Sequence, residues 1–145
     1  MKIAVFAGTF DPFTIGHQDI VNRALPLFDK IIIAIGVNEE KISFFSIEER
    51  LNIINKAFIT NDKICIETYN GLTGVFCQKN SASYLIRGIR NPTDFQYEND
   101  LAQANKEIFG IETVFFITSS TLSYISSSLV RQLYKNKGNY LNYLP

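Results

Sequence analysis

Short apolar runs alternate with amphipathic helical patterns along the chain, and this alternation restricts the fold more than any other feature. Strand-like runs are predicted at about residues 2–7, 30–37, 63–69, 83–87 and 112–117, and helices at about 16–28, 46–59, 72–80, 94–109 and 126–136. The second run, residues 31–35, is apolar on both faces, as in a parallel strand covered by helices on each side. Five alternating units therefore predict an α/β fold with one doubly wound parallel sheet.

Several predicted helices carry recognisable end signals. Ser46 followed by Glu49 has the form of a capping box, and the segment Thr93-Asp94-Phe95-Gln96 has the same form. Gly110 and Gly138 follow two helical patterns and are predicted to cap them in the left-handed conformation. No repeat, low-complexity segment or linker divides the chain, so we expect a single domain over residues 1–145.

The predicted sheet also locates a ligand site. In a doubly wound sheet, ligands bind beyond the carboxyl ends of the strands, where the strand order reverses. If the order is 3-2-1-4-5, that crevice lies between strands one and four. The loops that follow these two strands should then carry the chemistry.

The loop after the first strand is Gly8-Thr9-Phe10-Asp11-Pro12-Phe13-Thr14-Ile15-Gly16-His17. It leads into a helix whose first turn carries the only histidine of the chain. The start of a helix offers unpaired N–H groups and a partial positive charge, which suit a phosphate group. We therefore interpret this turn as a phosphate site, with His17 as a further donor, although a histidine there can also serve only to bond the preceding turn.

Two further segments carry groups that suit phosphate. The loop after the fourth strand holds Arg87 and Arg90 on either side of Gly88, and guanidinium groups bind phosphate in bidentate fashion. The run Ser126-Ser127-Ser128 opens the last helix, where one serine is needed as the N-cap and the others are available to a ligand.

Other polar residues leave two interpretations open. Thr9 is either a turn residue or a ligand contact, and we interpret Asp11 as structural because Asp-Pro is an ordinary turn dipeptide. Lys41 lies in a polar loop and Glu98 on an acidic helix face, where exposure to solvent is the simpler explanation.

Composition narrows the class of protein. Fourteen basic residues balance fourteen acidic ones, so no net charge indicates binding to nucleic acid or to an acidic membrane surface. Cys65 and Cys77 lie in apolar patterns without metal-ligand spacing, and we expect both to be buried free thiols. With no signal peptide pattern and no apolar run of membrane-spanning length, we expect a cytoplasmic protein. Neither a Walker A motif nor a dinucleotide-binding glycine motif occurs, and no zinc cluster is predicted.

Taken together, these motifs resemble those of the phosphopantetheine adenylyltransferases, a family of the nucleotidylyltransferase superfamily. Residues 14–17, Thr-Ile-Gly-His, match the superfamily signature (H/T)-x-G-H. The resemblance extends over essentially the whole chain, with matching segments at 8–12 (Gly-Thr-Phe-Asp-Pro), 85–90 (Leu-Ile-Arg-Gly-Ile-Arg), 94–98 (Asp-Phe-Gln-Tyr-Glu) and 125–128 (Ile-Ser-Ser-Ser).

The resemblance implies a Rossmann-like fold and a specific reaction. The phosphate of 4′-phosphopantetheine would attack the α-phosphorus of ATP and give dephospho-coenzyme A and pyrophosphate, the penultimate step of coenzyme A synthesis. Mg²⁺ would enter with ATP, no covalent enzyme intermediate would form, and the protein would be a homohexamer. Catalysis would rest on positioning and electrostatic stabilisation.

Residue by residue, the resemblance assigns roles to the matching positions. His17 and Lys41 would be catalytic, and Thr9, Lys41, Thr73 and Arg87 would bind the pantetheine substrate. The ATP site would comprise Thr9, Phe10, His17, Gly88, Ile89, Arg90, Glu98, Leu122, Ser123, Tyr124, Ile125, Ser126, Ser127 and Ser128.

The chain departs from the family pattern at three points. Leu122 stands where an aromatic residue is common, and Thr73 stands where an apolar residue is often found. The sequence ends at Pro145, where members of the family continue into another short helix, so we expect different packing there.

The sequence leaves three rival interpretations of the function open. A related nucleotidylyltransferase would use nicotinate mononucleotide or a phosphorylated alcohol, but such enzymes usually have histidine in place of Thr14. A regulatory module would bind ATP without turnover and would be expected to lack His17 or Lys41. A flavodoxin-like structural domain would leave the clustered loop residues unexplained.

Overall fold

A five-stranded parallel sheet with the strand order 3-2-1-4-5 forms the centre of the computed structural model, which describes all of residues 1–145. This confirms the predicted fold class and strand order. The strands are β1 (Ile3–Gly8), β2 (Lys30–Gly36), β3 (Ile64–Tyr69), β4 (Tyr84–Ile89) and β5 (Glu112–Ile117). The helices are α1 (Ile15–Ala24), α2 (Ile47–Ala57), α3 (Thr73–Lys79), α4 (Pro92–Phe109) and α5 (Ser127–Lys135), with short 3₁₀ segments at Leu25–Leu27 and Leu141–Tyr143.

The apolar core lies on both faces of the sheet because the strand residues alternate between them. Along β1, Ala4 and Phe6 pack on one face with α1 and α2, whereas Val5 and Ala7 pack on the other with α3. All five residues from 31 to 35 in β2 are buried, as predicted for a strand covered on each side. None of the helices combines the length and hydropathy needed to cross a membrane.

The two cysteines differ in their surroundings. Both are free, and Cys77 is buried as predicted, which raises the pKa of its thiol to about 11. The prediction was wrong for Cys65, which is only partly buried because β3 is an edge strand. Its Sγ donates to Glu67 Oε1 at 3.5 Å.

The predicted helix starts are correct in one case and displaced in another. Ser46 and Glu49 form the predicted capping box at the start of α2. Helix α4, however, begins at Pro92 with Asn91 as its N-cap, so the capping box predicted at Thr93 is wrong. Proline is favoured in the first turn of a helix, and the Asn91 side chain can accept the N–H of Asp94.

The helix ends show a similar contrast. Gly110 caps α4 with a φ of 71°, as predicted. At the end of α5 the left-handed residue is Lys137, with a φ of 58°, rather than Gly138. The Gly138 N–H instead donates to the Leu133 carbonyl at 2.7 Å, so the glycine is the second residue of a Schellman motif. A Cβ there would lie 2.9 Å from Leu133 Cδ2.

The crevice between β1 and β4 follows from their incomplete pairing. These strands pair only at Ala4–Tyr84 and Val5–Leu85, whereas every other neighbouring pair is matched at six positions. Beyond Val5 the two strands separate toward their carboxyl ends. The loops that follow them therefore face each other across an opening, as the strand order predicts.

Candidate active site

A central cleft of about 350 Å³ occupies the opening between β1 and β4. The turn after β1 forms one wall and the end of β4 another, while the start of α5 closes a third side. Two helix N-termini, those of α1 and α5, therefore meet at this cleft, which concentrates N–H donors there. Its polar lining includes Thr9, His17, Arg87, Arg90, Glu98 and Arg131.

His17 is held in a defined orientation by Thr14. The Thr14 side chain caps α1 by accepting the His17 N–H, and the His17 ring returns a contact because Nδ1 accepts the Thr14 N–H at 2.9 Å. This is a capping box with histidine in the third position, where glutamate or glutamine is usual. Since Nδ1 is the acceptor, the ring proton lies on Nε2. Nε2 is thus left as a hydrogen-bond donor for a ligand.

His17 is also kept uncharged. The rings of Phe6, Phe10 and Phe13 pack around it with centroid distances of 6.1, 5.1 and 5.2 Å. Burial is the main reason that the pKa of His17 falls from 6.5 to about 4, and the positive charges of Arg87 and Arg90 lower it further. At neutral pH His17 is therefore a neutral donor. With its proton on Nε2 it cannot act as a general base toward the cleft.

Arg87 is fixed at the point where β1 and β4 separate. Its Nη1 donates to the Ala7 carbonyl at 2.7 Å, which satisfies a strand oxygen that has lost its β partner. Nε and Nη2 donate to the two carboxylate oxygens of Glu98 at 2.7 and 2.6 Å. Burial disfavours the charge of Arg87, but the ion pair with Glu98 outweighs it, so the net effect raises the pKa of Arg87.

The turn after β1 is tied to the loop that carries Lys41. Asp11 is buried, and its two carboxylate oxygens accept the N–H groups of Phe44 and Phe45, each at 2.7 Å. The structural role expected for Asp11 agrees with these contacts. Arg50 adds a second tie, because Nη1 donates to the Thr9 carbonyl at 3.0 Å and Nη2 to Ser43 Oγ at 3.2 Å.

Two further cavities adjoin the central cleft, and Thr9 lines both of them. The first, which we call the Lys41 cleft, has a volume of about 1350 Å³ and lies between the loop after β2 and α5. The second, which we call the Thr73 groove, has a volume of about 310 Å³ and lies between α3 and α4. Arg87 and Glu98 line the Thr73 groove as well as the central cleft. The three spaces meet at Thr9.

The serine run contains the predicted N-cap of α5, and a second serine of the run bonds the turn after β1. Ser126 is the N-cap of α5, with its side chain accepting the Leu129 N–H, and Ser127 Oγ donates to the Pro12 carbonyl at 2.8 Å. Arg131, one turn further along α5, was not predicted from the sequence. Its Nη1 donates to the Asp11 carbonyl at 2.8 Å, and it lines both the central cleft and the Lys41 cleft. Its position four residues after Ser127, on the same helix face, is the signal that could have found it.

The cleft carboxylates are not arranged to hold a metal ion. Nowhere in the structure do three or more His, Cys, Asp or Glu side chains form such a group. In the central cleft, Asp11 accepts two main-chain N–H groups, Asp94 accepts from Arg90 at 3.1 Å, and Glu98 accepts from Arg87. The carboxylates of the cleft therefore do not form a set of protein ligands for a bound metal ion.

Comparisons with known proteins give one family model and several relatives of similar sequence. The family model described as Cytidylyltransferase-like matches residues 5–133. The phosphopantetheine adenylyltransferase of Cytophaga hutchinsonii is 51% identical over 145 residues, which cover 99% of this chain and 97% of the relative. The enzyme of the same name from Flavobacterium johnsoniae is 46% identical, with 100% and 95% covered.

The chain belongs to the phosphopantetheine adenylyltransferase family. It is therefore an enzyme of the nucleotidyltransferase class. This family membership argues against the interpretations as a regulatory module and as a structural flavodoxin-like domain. Among solved structures, a bifunctional NMN adenylyltransferase/ADP ribose pyrophosphatase from Francisella tularensis superposes with a TM-score of 0.75 at 20% identity. The match covers 99% of this chain but only 44% of that one, and it shows a shared Rossmann-like fold.

The positions that match phosphopantetheine adenylyltransferase motifs fall into two groups in the structure. The larger group lines the three connected spaces: Thr9, Phe10, His17, Lys41, Thr73, Arg87, Gly88, Arg90, Glu98, Ile125, Ser126, Ser127 and Ser128. The smaller group lies outside their linings. Ile89 is buried in the sheet, Tyr124 is 61% exposed, and Leu122 packs with its carbonyl toward Gly16 at the start of α1. Ser123 Oγ donates to the Ser120 carbonyl at 3.1 Å within the same loop.

Proposed function

We propose that the enzyme transfers the adenylyl group of ATP to 4′-phosphopantetheine and gives dephospho-coenzyme A and pyrophosphate. This would be the penultimate step of coenzyme A synthesis. A phosphate oxygen of the acceptor forms a bond to the α-phosphorus, and the bond from that phosphorus to the oxygen of the β-phosphate breaks. Pyrophosphate leaves with the electron pair, and no covalent enzyme intermediate forms.

The observation that carries the proposal is the junction of three spaces at Thr9, with the Nε2 donor of His17 in the central one. Adenylyl transfer needs a triphosphate and a second phosphate to approach one another in line, with a donor at the phosphorus between them. The central cleft provides the two helix N-termini for ATP. The Lys41 cleft and the Thr73 groove provide space for an acceptor that has a phosphate at one end and a long arm.

His17 would donate from Nε2 to an oxygen of the α-phosphate. The charge on this oxygen and its neighbours increases in the transition state, so a fixed donor there stabilises that state more than the bound substrates. The low pKa of His17 supports this role, since the ring needs no change of protonation to act as a donor at neutral pH. The main-chain N–H of Thr14 holds the ring in the required tautomer.

On the acceptor side, Lys41 and Thr9 would hold and orient the attacking phosphate. Lys41 is exposed in its loop and lines the cleft that Thr9 shares. Arg87, with two of its five N–H groups left for a ligand, would bind the pantetheine substrate. The Thr73 hydroxyl is hydrogen-bonded to the Tyr69 hydroxyl at 2.8 Å, and Thr73 would line the path of the pantetheine arm.

On the nucleotide side, we propose contacts along the ends of β4 and α5. Gly88 permits a close approach of α1, because a Cβ there would lie 2.3 Å from Ile20 Cδ1. Arg90 would pair with the triphosphate. The remaining proposed ATP contacts are Phe10, Ile89, Glu98 and residues 122–128. Leu122, Ser123 and Tyr124 lie outside the cleft lining, so the loop between β5 and α5 that carries them would have to close on the nucleotide.

Magnesium would enter as MgATP, with phosphate oxygens and water as its ligands. This fits a cleft in which the carboxylates of Asp11, Asp94 and Glu98 are each held by N–H donors. The ion would neutralise charge on the triphosphate.

We also propose that the enzyme is a cytoplasmic homohexamer that folds as a single domain over residues 1–145. The exposed apolar side chains of α4 support self-association, since a face of this kind is typical of a protein interface. Tyr97 is 64% exposed, Leu101 40% and Ile108 69%, and these three residues share one face of the helix.

The test is release of pyrophosphate from MgATP with 4′-phosphopantetheine, compared with nicotinate mononucleotide and with no acceptor. We expect release only with 4′-phosphopantetheine, and a mass spectrum that shows dephospho-coenzyme A. Release only with nicotinate mononucleotide would show that the enzyme is a related nucleotidylyltransferase that uses this acceptor. Binding of ATP without release for any acceptor would refute the proposed reaction.

A further inference from the structure

Tyr69 lies where the Thr73 groove meets the Lys41 cleft. It is the last residue of β3 and lines both spaces. Its partner on the neighbouring strand is Gly36, which also lines both spaces. A Cβ at Gly36 would lie 3.5 Å from Tyr69 Oη, so a longer side chain at this position would cover the phenol oxygen. The glycine leaves that oxygen open.

The ring of Tyr69 is held in place from two sides. It stacks on the buried ring of Phe76 in α3, with a centroid distance of 4.7 Å and an angle of 30° between the planes. The main-chain carbonyl of Tyr69 accepts the Val37 N–H at 2.9 Å, which fixes the residue to the end of β2. The hydroxyl therefore has a defined position before a ligand binds, and this lowers the entropic cost of a contact with it.

The hydroxyl groups of Tyr69 and Thr73 form a pair with an unused donor. Tyr69 Oη and Thr73 Oγ1 are 2.8 Å apart, and either atom can donate. The two hydroxyls carry two protons, and the bond between them uses one. One O–H is therefore left to donate to a ligand. Since the phenol is the more acidic of the two groups, it is the better donor.

The walls of the Thr73 groove need a donor of this kind if an amide is to bind there. The apolar part of the lining comprises Ala7, Leu72, Leu85, Leu101, Ala102 and Phe109. An amide that enters such a groove loses water, and its carbonyl must find a donor on the protein. The pantetheine arm contains two amides. An amide carbonyl is a stronger acceptor than a hydroxyl oxygen, so the phenol should pair with the carbonyl while Thr73 donates to the phenol oxygen.

We propose that Tyr69 binds the pantetheine arm by donating from its hydroxyl to an amide carbonyl, and that Thr73 positions Tyr69 by donating to the phenol oxygen. This inference rests on the proposed function. It adds Tyr69 to the acceptor side and gives the Thr73 hydroxyl a specific task. Because Tyr69 does not line the central cleft, loss of its hydroxyl should weaken binding of the acceptor and spare the nucleotide.

The experiment compares the Tyr69→Phe variant with wild type, with Tyr84→Phe as a matched control. Phenylalanine keeps the ring that stacks on Phe76 and removes only the hydroxyl. Tyr84 is also half-buried and packs on an aromatic ring, that of Phe28 at 5.5 Å, but it lies at the amino end of β4, away from the clefts.

We expect the KM and the calorimetric Kd for 4′-phosphopantetheine to rise about 3- to 10-fold in Tyr69→Phe. Both constants for MgATP should stay within about twofold of wild type, and Tyr84→Phe should leave all four constants unchanged. An unchanged affinity of Tyr69→Phe for 4′-phosphopantetheine, or an equal loss for MgATP, overturns the inference.

Two substrate analogues distinguish a contact with the arm from a purely structural role of the hydroxyl. Each analogue of 4′-phosphopantetheine has one of the two amides replaced by –CH₂–CH₂–. Wild type and Tyr69→Phe should bind one analogue equally, because the carbonyl that Tyr69 contacts is missing from it. With the other analogue the 3- to 10-fold difference should persist. A full difference with both analogues would show that the hydroxyl acts on the fold and not on an amide of the arm.

The role of Thr73 is tested with Thr73→Val, which keeps the shape of the side chain and removes its hydroxyl. We expect a smaller rise in the Kd for 4′-phosphopantetheine than in Tyr69→Phe. Added to Tyr69→Phe, the same change should cause no further rise, because Thr73 acts through the phenol. Multiplicative effects of the two changes would contradict the positioning role.

The proposed function is judged separately, on wild type alone. Turnover of 4′-phosphopantetheine by wild type supports the function whatever Tyr69→Phe does. If wild type neither binds nor turns over 4′-phosphopantetheine, both the function and this inference are refuted. If wild type turns over and Tyr69→Phe binds the acceptor equally well, only the inference is refuted.

Discussion

The chain contains a single histidine, and its shifted pKa predicts a measurable dependence of stability on pH. In the unfolded chain His17 has its ordinary pKa of 6.5, whereas burial and the nearby arginines lower the pKa to about 4 in the folded protein. Between these values the unfolded state binds more protons than the folded state. The free energy of unfolding therefore decreases as the pH falls through this window, and the contribution of His17 is complete above it.

The size of the effect follows from the two pKa values. One pKa unit corresponds to about 1.4 kcal/mol, so the interval from 6.5 to about 4 corresponds to roughly 3 kcal/mol. Near pH 5 about 2 kcal/mol of this is already lost, because the unfolded histidine is almost fully protonated there and the folded one is not. At pH 7.5 the contribution of His17 to the pH dependence is close to zero.

The assay is urea unfolding at pH 7.5 and at pH 5.0 for wild type and for His17→Gln. Glutamine in the third position can keep the capping box with Thr14, so the helix start is preserved while the titrating group is removed. The carboxylates titrate in both proteins and cancel. We expect wild type to lose about 2 kcal/mol more than the variant between the two pH values. Equal losses, or a His17 imidazole resonance that titrates near pH 6.5 in the folded protein, would refute this account of the site.

Three further predictions address the roles of single residues. His17→Ala should lower kcat about 100- to 1000-fold with little change in ATP affinity, because the donor acts mainly in the transition state. Steady-state kinetics and calorimetry measure these two quantities, and a variant that keeps most of its turnover would contradict the prediction. Lys41→Ala should raise the KM for 4′-phosphopantetheine more than that for ATP, since Lys41 lines only the acceptor-side cleft; equal rises would argue against the assignment. Asp11→Ala should lower the free energy of unfolding by about 2–4 kcal/mol in urea unfolding, since two main-chain N–H groups lose a buried carboxylate. The exposed control Asp29→Ala loses one hydrogen bond from the Lys2 N–H and should lower it by less than about 1 kcal/mol. Similar losses for the two variants would contradict a stabilising role of the buried Asp11.

The parallel sheet could be predicted from local patterns, and the usual strand order of a doubly wound sheet then gave the place of the crevice. Alternating apolar runs predict a parallel sheet, and the fully apolar run at 31–35 places β2 in its interior. The reversal of strand order then brings the turn after β1 opposite the end of β4. These rules alone predict that His17 and Arg87 lie at the same edge of the sheet.

The detailed bonding of the site could not be predicted, because it depends on distances between separate elements. Arg87 and Glu98 are both visible in the sequence, but only the docking of α4 against β4 shows that they meet. The tautomer of His17 depends on its contact with Thr14, in a capping box that uses histidine instead of the usual glutamate or glutamine. At the start of α4, Asn91 and Thr93 are both acceptable caps by residue type, and Pro92 decides between them through its fixed φ.

The central claim is that the Nε2 donor of His17 lies at the phosphate that is transferred, between a nucleotide in the central cleft and an arm in the Thr73 groove. A crystal structure with dephospho-coenzyme A tests this most directly. We expect His17 Nε2 about 2.7–3.2 Å from an oxygen of the adenylate phosphate, with the arm beside Thr73 and Arg87. An adenylate outside the central cleft, or a His17 ring that has turned Nε2 away from the phosphate, would contradict the account.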